Sequence, residues 1–224
     1  MRIDVRGVII PNNYKRAYDY LDWENTCPKD IFDALEKAAG ADVKVYISSG
    51  GGSLYAGMDI YSALKEYTGA VKILITSHAH SAASIIACAA ESEIMLGAMV
   101  MVHRVSFGEY GNCEDMRRAA NTLSAHDESI CGLYMEKTGL SREEVLKLMA
   151  EETYMSAEKA VKLGFADTIA PDSRQLVAST VPMLTGEQVQ KIMAIIGAEQ
   201  SGKLDARIPL AKAKLKLLQL GGSK

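Results

Sequence analysis

Two side chains 19 residues apart, Ser84 and His103, could together perform acyl transfer. A neutral hydroxyl is a poor nucleophile, so an imidazole must take its proton during attack. A carboxylate must then hold that imidazole in one tautomer and stabilise its cation. Two donors must meet the oxyanion that forms on the attacked carbonyl. The chain offers each part. Residues 48–53, Ser-Ser-Gly-Gly-Gly-Ser, form a glycine turn whose N–H groups no side chain encumbers. Acidic residues stand near the end of the compact body. Ser84 follows an apolar run, residues 71–75, and opens an alanine-rich segment. It therefore reads as the residue where a strand hands over to a helix. Free N–H groups and the positive helix end favour negative charge there. The same position equally suits a plain N-cap.

Of the four histidines, His78 and His80 precede the serine in its own turn, and His126 falls within a long helical pattern, facing solvent. His103 directly follows the apolar run 99–102 and alone sits at the exit of a parallel strand. Cys88, four residues beyond Ser84, reads as a core residue rather than a nucleophile. No G-x-x-x-x-G-K-[ST] loop is present, so the chain itself is not expected to hydrolyse ATP.

The elements that would position these groups alternate. Residues 3–10 read as a strand, and Pro28 opens a helix that Gly40 stops. Residues 42–47 form a second strand, the glycine turn follows, and a helix runs to about Tyr67. Residues 71–75 are the third strand. This order implies an α/β fold with a mostly parallel sheet and right-handed crossovers. Functional groups should gather at the carboxyl ends of its strands, where Gly51 and Ser84 both fall. A long helix is expected over 113–137. A capping box, Ser141-Arg142-Glu143-Glu144, opens another helix. A further helix starts at Ser156, and a last strand spans 165–169. The expected compact domain is 1–172. A C-terminal helical extension, 173–224, ends in a basic amphipathic stretch, 210–220.

Composition narrows the classes. The chain has 224 residues, 48% of them hydrophobic, and a formal charge of −3. That balance gives no electrostatic case for nucleic acid or an anionic membrane. No apolar run reaches the ~18 residues of a membrane span. The four scattered cysteines have no C-x-x-C pair and the start has no apolar leader, which fits reduced thiols in a cytoplasmic protein. No metal or cofactor is expected.

Several segments in combination resemble the Clp-protease proteolytic subunit. They are 49–53 (Ser-Gly-Gly-Gly-Ser), 56–61 (Ala-Gly-Met-Asp-Ile-Tyr), 82–84 (Ala-Ala-Ser), 101–103 (Met-Val-His) and 155–160 (Met-Ser-Ala-Glu-Lys-Ala). The likeness covers about residues 3–170. The pattern at 81–87 and the leucine-lysine tail are more similar to the phage and prophage branch, the head-maturation proteases. The resemblance implies a ClpP/crotonase-like β-β-α superhelix and a serine endopeptidase. Its implied triad is Ser84 as nucleophile, His103 as general base and Glu152 as acid. Glu152 stands where the family usually has aspartate, just before Thr153-Tyr154-Met155-Ser156-Ala157. Asp167 is the rival acid. The backbone N–H groups of Gly51 and Ile85 would form the oxyanion hole. A homo-oligomeric ring, with residues 113–137 between rings, and a polypeptide substrate, capsid or scaffold protein, are implied partners. The N-terminal segment that surrounds the family's axial pore is short here, so docking to an ATP-driven unfoldase is left open. Two other readings stand beside this one. One is a crotonase-type acyl-CoA enzyme using the glycine turn for a thioester. The other is an inactive structural subunit on the same scaffold.

Overall fold

In the computed structural model, residues 1–171 are described, and the expected extension and basic tail lie outside the described residues. Eight strands form one sheet. Its central path carries β1 (Arg2–Ile9), β2 (Asn25–Thr26), β3 (Val43–Gly52), β4 (Val71–His80), β5 (Glu91–Ile94) and β8 (Thr168–Ile169). Their order is β2-β1-β3-β4-β5-β8, and every pair along this path is parallel. The remaining strands are β6 (Met99–Val102), parallel to β4, and β7 (Thr153–Ser156), antiparallel to β6. This is the expected mixed α/β fold with a mostly parallel sheet.

Strand β4 is the member that places the site. Its first half, Lys72–Ile75, pairs with β5, and its last three residues, His78–His80, pair with β6. The strand thus continues five residues past the apolar run. Alternation buries Val43, Val45 and Ile47 on β3, and Ile73, Ile75 and Ala79 on β4, with the other face of each strand more open.

The helices are α1 (Lys15–Tyr20), α2 (Pro28–Ala38), α3 (Leu54–Glu66), α4 (Ala82–Ala87), α5 (Cys113–Thr138), α6 (Arg142–Ala150) and α7 (Ala157–Lys162). Pro28 opens α2, and Asp30 caps it by accepting the Cys27 N–H. Ser141 and Glu144 form the expected capping box of α6. All six residues of α4 are buried, against α3, α5, β3 and β4. Small side chains permit that. At Gly57 of α3 an added Cβ would lie 3.0 Å from the Ala82 Cβ, so α3 and α4 approach at nearly backbone distance. Helix α5 spans about 39 Å at ~1.5 Å per residue. Its second half carries the buried Asp127, Ile130, Cys131, Leu133 and Tyr134, while its first half is mostly exposed. Among the described residues, no helix is long and apolar enough to cross a membrane.

Candidate active site

One residue separates β4 from α4, and it is Ser81. Its backbone sits at φ 54°, ψ −125°, a region that L-residues rarely occupy. Such a conformation costs on the order of 1–3 kcal/mol and persists only where its surroundings over-determine it. They do so here. The Ser81 N–H donates to the Met101 carbonyl of β6 at 2.9 Å. The Ser81 carbonyl accepts from the Ser84 N–H at 2.9 Å and from the Ser84 Oγ at 2.6 Å. The turn projects the Ser81 Oγ to 2.7 Å from Nε2 of His103. His103 follows the last residue of β6, so the hydroxyl and the imidazole are mounted on neighbouring, hydrogen-bonded strands.

Ser84 is therefore not the serine that meets the imidazole. It is the third residue of α4, 1% exposed, and its hydroxyl turns back to the Ser81 carbonyl and to the Tyr134 hydroxyl at 2.7 Å. The expectation misplaced the hand-over by three residues, because the strand runs on through polar Ser77, His78 and His80. Ile85 changes role for the same reason. It is the fourth helical residue, and only the N–H groups before that position lack an intrahelical acceptor. The amide next to Ser81 belongs to Ala82, the first residue of α4, and it has no intrahelical acceptor. The other expected donor, Gly51, is well placed. Its φ is +91°, and an added Cβ would lie 2.6 Å from the His80 carbonyl, 2.8 Å from Ser81 Cβ and 3.0 Å from the Ala82 nitrogen. Only glycine lets β3 come this close to the elbow. In the resting protein the Gly51 N–H donates to Ser49 Oγ at 3.1 Å.

Of the two carboxylates, Glu152 is the one that the sheet register sets next to His103. The β6–β7 ladder pairs Val102 with Thr153, and His103 and Glu152 are the next residue on each side. Glu152 sits at φ 48° and is exposed. Among the described residues no hydrogen bond joins its carboxylate to His103. Asp167 lies elsewhere and is fully engaged. It accepts from Ser92 N–H, Ser92 Oγ and Lys137 Nζ, which fastens β8 and α5 to β5. Burial raises its carboxyl, but the Lys137 ammonium and the Ser92 donors outweigh burial and hold it below the usual range.

A third carboxylate escaped the sequence reading. Asp127, 5% exposed on α5, accepts the Val105 N–H at 2.9 Å and Arg104 Nη1 at 3.3 Å. It thereby ties down the segment just past His103. Its neighbour His126, expected to face solvent, has its Nε2 3.1 Å from the Tyr55 hydroxyl of α3. Both line a cavity of about 440 Å³ that also opens onto Ser81, His103, Leu54, Phe107 and Ile130. The wall is largely apolar, and the serine and imidazole form part of it. His78 and His80 stay on β4, away from this cavity's lining. The His80 imidazole is held below its usual pKa, by burial first and by His78 second. Cys88 is buried and its thiol is pushed up to about 12, so it is no thiolate nucleophile. Among the described residues no group of three or more His, Cys, Asp or Glu side chains gathers as a metal site would.

An elbow serine against a histidine, on a mostly parallel sheet and beside a largely apolar cavity, is an arrangement suited to acyl transfer. The chain belongs to the Clp protease family, whose pattern matches residues 28–173. A curated member, the ATP-dependent Clp protease proteolytic subunit of Deinococcus radiodurans, is 26% identical over 137 residues. That match spans 60% of this chain and 67% of the relative.

Proposed function

We propose that the protein is a serine endopeptidase in which Ser81, and not Ser84, is the nucleophile. The 2.7 Å contact between Ser81 Oγ and His103 Nε2 carries this reading. In it, Nε2 takes the hydroxyl proton as Oγ attacks the peptide carbonyl. The Ala82 N–H meets the developing oxyanion, and the Gly51 N–H joins it on release from Ser49 Oγ. The imidazolium then protonates the leaving amine, and a water hydrolyses the acyl-enzyme by the same route in reverse. Glu152 holds the imidazole tautomer after its side chain swings toward Nδ1, a motion that its ladder position makes short. The cavity takes an apolar side chain next to the scissile bond.

The natural substrate in this reading is a polypeptide, and the 81–87 pattern points to a virion shell or scaffold protein processed during head assembly. A homo-oligomeric ring is part of the same reading. The acyl-CoA alternative is not favoured, since it has no use for an elbow serine bonded to an imidazole.

Labelling with an alkyl fluorophosphonate tests the nucleophile. Fragment-ion mapping is expected to place the adduct on Ser81, and Ser81→Ala to abolish it. An adduct on Ser84, or none on a folded protein, overturns the assignment.

A further inference from the structure

We infer that Ser84 and Tyr134 are positioning residues that hold the Ser81 carbonyl, and through it the strained Ser81 backbone, in the geometry for attack. The inference rests on Ser81 being the nucleophile. A serine hydroxyl carries one proton. The Ser84 proton goes to the Ser81 carbonyl at 2.6 Å, so the contact at 2.7 Å must have the Tyr134 hydroxyl as donor. Burial first, and the nearby Cys88 second, push the Tyr134 phenol far above its usual range, so it stays protonated and remains a donor.

The result is a directed chain, from Tyr134 O–H to Ser84 Oγ and from Ser84 O–H to the Ser81 carbonyl. Hydrogen bonds in such a chain polarise one another and strengthen in a dry interior. Both residues are 1% exposed, so water has little access to either donor although Tyr134 borders the cavity. Cys88 Sγ adds a bond to the Ser84 carbonyl at 3.2 Å, which steadies the same turn.

The chain also links two parts of the site. Tyr134 belongs to α5, whose Thr122, His126 and Ile130 line the cavity. The elbow belongs to the β4–α4 junction. A displacement of α5 would therefore withdraw a donor from the elbow at the same time as it reshapes the cavity wall.

The test compares Ser84→Ala, Tyr134→Phe and the double variant by the inactivation kinetics of Ser81 with an alkyl fluorophosphonate. Tyr134→Phe keeps the ring against Phe165, whose centroid is 5.4 Å away, and so folds even where Ser84→Ala does not. Loss of one buried hydrogen bond predicts a fall in kinact of roughly 10-fold for Ser84→Ala and about 3- to 10-fold for Tyr134→Phe. KI is expected to stay within about twofold, because neither hydroxyl touches the probe; a role in stability alone would leave kinact per folded molecule unmoved. The double variant should be no slower than Ser84→Ala, since Tyr134 acts through the Ser84 oxygen. A kinact for both single variants within twofold of the parent, or a double variant that multiplies the two losses, overturns the relay while leaving Ser81 as nucleophile. A parent protein that takes no label at Ser81 overturns the nucleophile assignment and the relay with it.

Discussion

Asp127 is the side chain whose removal most directly asks what holds His103 in place. It accepts two hydrogen bonds from the segment immediately after that histidine, and it is itself 5% exposed. Asp127→Ala leaves the Val105 N–H without its acceptor, which costs about 1–3 kcal/mol. At about 2–4 °C per kcal/mol for a chain of this size, the melting temperature should fall by roughly 2–12 °C. Activity should fall further than stability. Freed from α5, residues 104 and 105 no longer fix the ring, and a ~1 Å displacement of a catalytic group costs on the order of 100-fold. Asp127→Asn separates geometry from charge. Its Oδ1 still accepts the Val105 N–H, so the expected loss is about 1 kcal/mol or less and under about 5-fold in rate. Fluorophosphonate inactivation rates with thermal melts on both variants make the comparison. Equal impairment of Asn and Ala would show that charge, not the acceptor, matters. Wild-type rates in the folded Ala variant would show that the segment holds itself.

Three further outcomes follow from the same geometry. Gly51→Ala should slow labelling of Ser81 by more than about tenfold, since a left-handed φ and a clash with the elbow each cost on the order of 1 kcal/mol or more. Gly50→Ala, whose added Cβ meets nothing within 4 Å, should be tolerated, and equal effects would refute the packing argument. Glu152→Gln should lower peptidase activity far more than Asp167→Asn, and the reverse ranking would assign the acid to Asp167. Asp167 has its own signature in stability. Its folded pKa is depressed, so its contribution is fully present above about pH 4, the unfolded carboxylate value, and is lost as pH falls through the folded value. Asp167→Asn should therefore flatten the acid limb of a pH–melting curve, and an unchanged limb would contradict the Lys137 pairing.

The fold was legible because its periodicities are clean. Val43, Val45 and Ile47 alternate, Pro28 and Ser141 announce helices, and the strand–helix order dictates a parallel sheet. His103 was legible because it follows an apolar strand at once. The serine that meets His103 was not, because Ser81 and Ser84 flank two alanines and either can open a helix. The choice depends on where β4 stops. That is decided by its pairing with β6, a contact between His78–His80 and Met99–Met101 that residues 71–80 do not announce. The φ of Ser81 is likewise imposed by tertiary bonds, to Met101 and to Ser84, rather than by local preference. Asp127 was hidden by its neighbours. Placed between His126 and Glu128 in a long helix, it has the look of a solvated position, and only the return of residues 104–105 against α5 buries it. Tyr134 lies on the buried side of α5, but its hydroxyl is what matters, and no spacing reports a hydrogen bond.

The β4–β6 pairing separates what must stay fixed from what can vary. Ser81 and His103 are braced by strand bonds and by the Asp127 contacts of residues 104 and 105, whereas Ser106 and Phe107 reach the cavity from the stretch between β6 and α5. Changes of length or composition at residues 106–111 would reshape the cavity wall and leave the Ser81–His103 pair on its footing. Diversification of selectivity, by natural drift or by a designer, has its cheapest entry there.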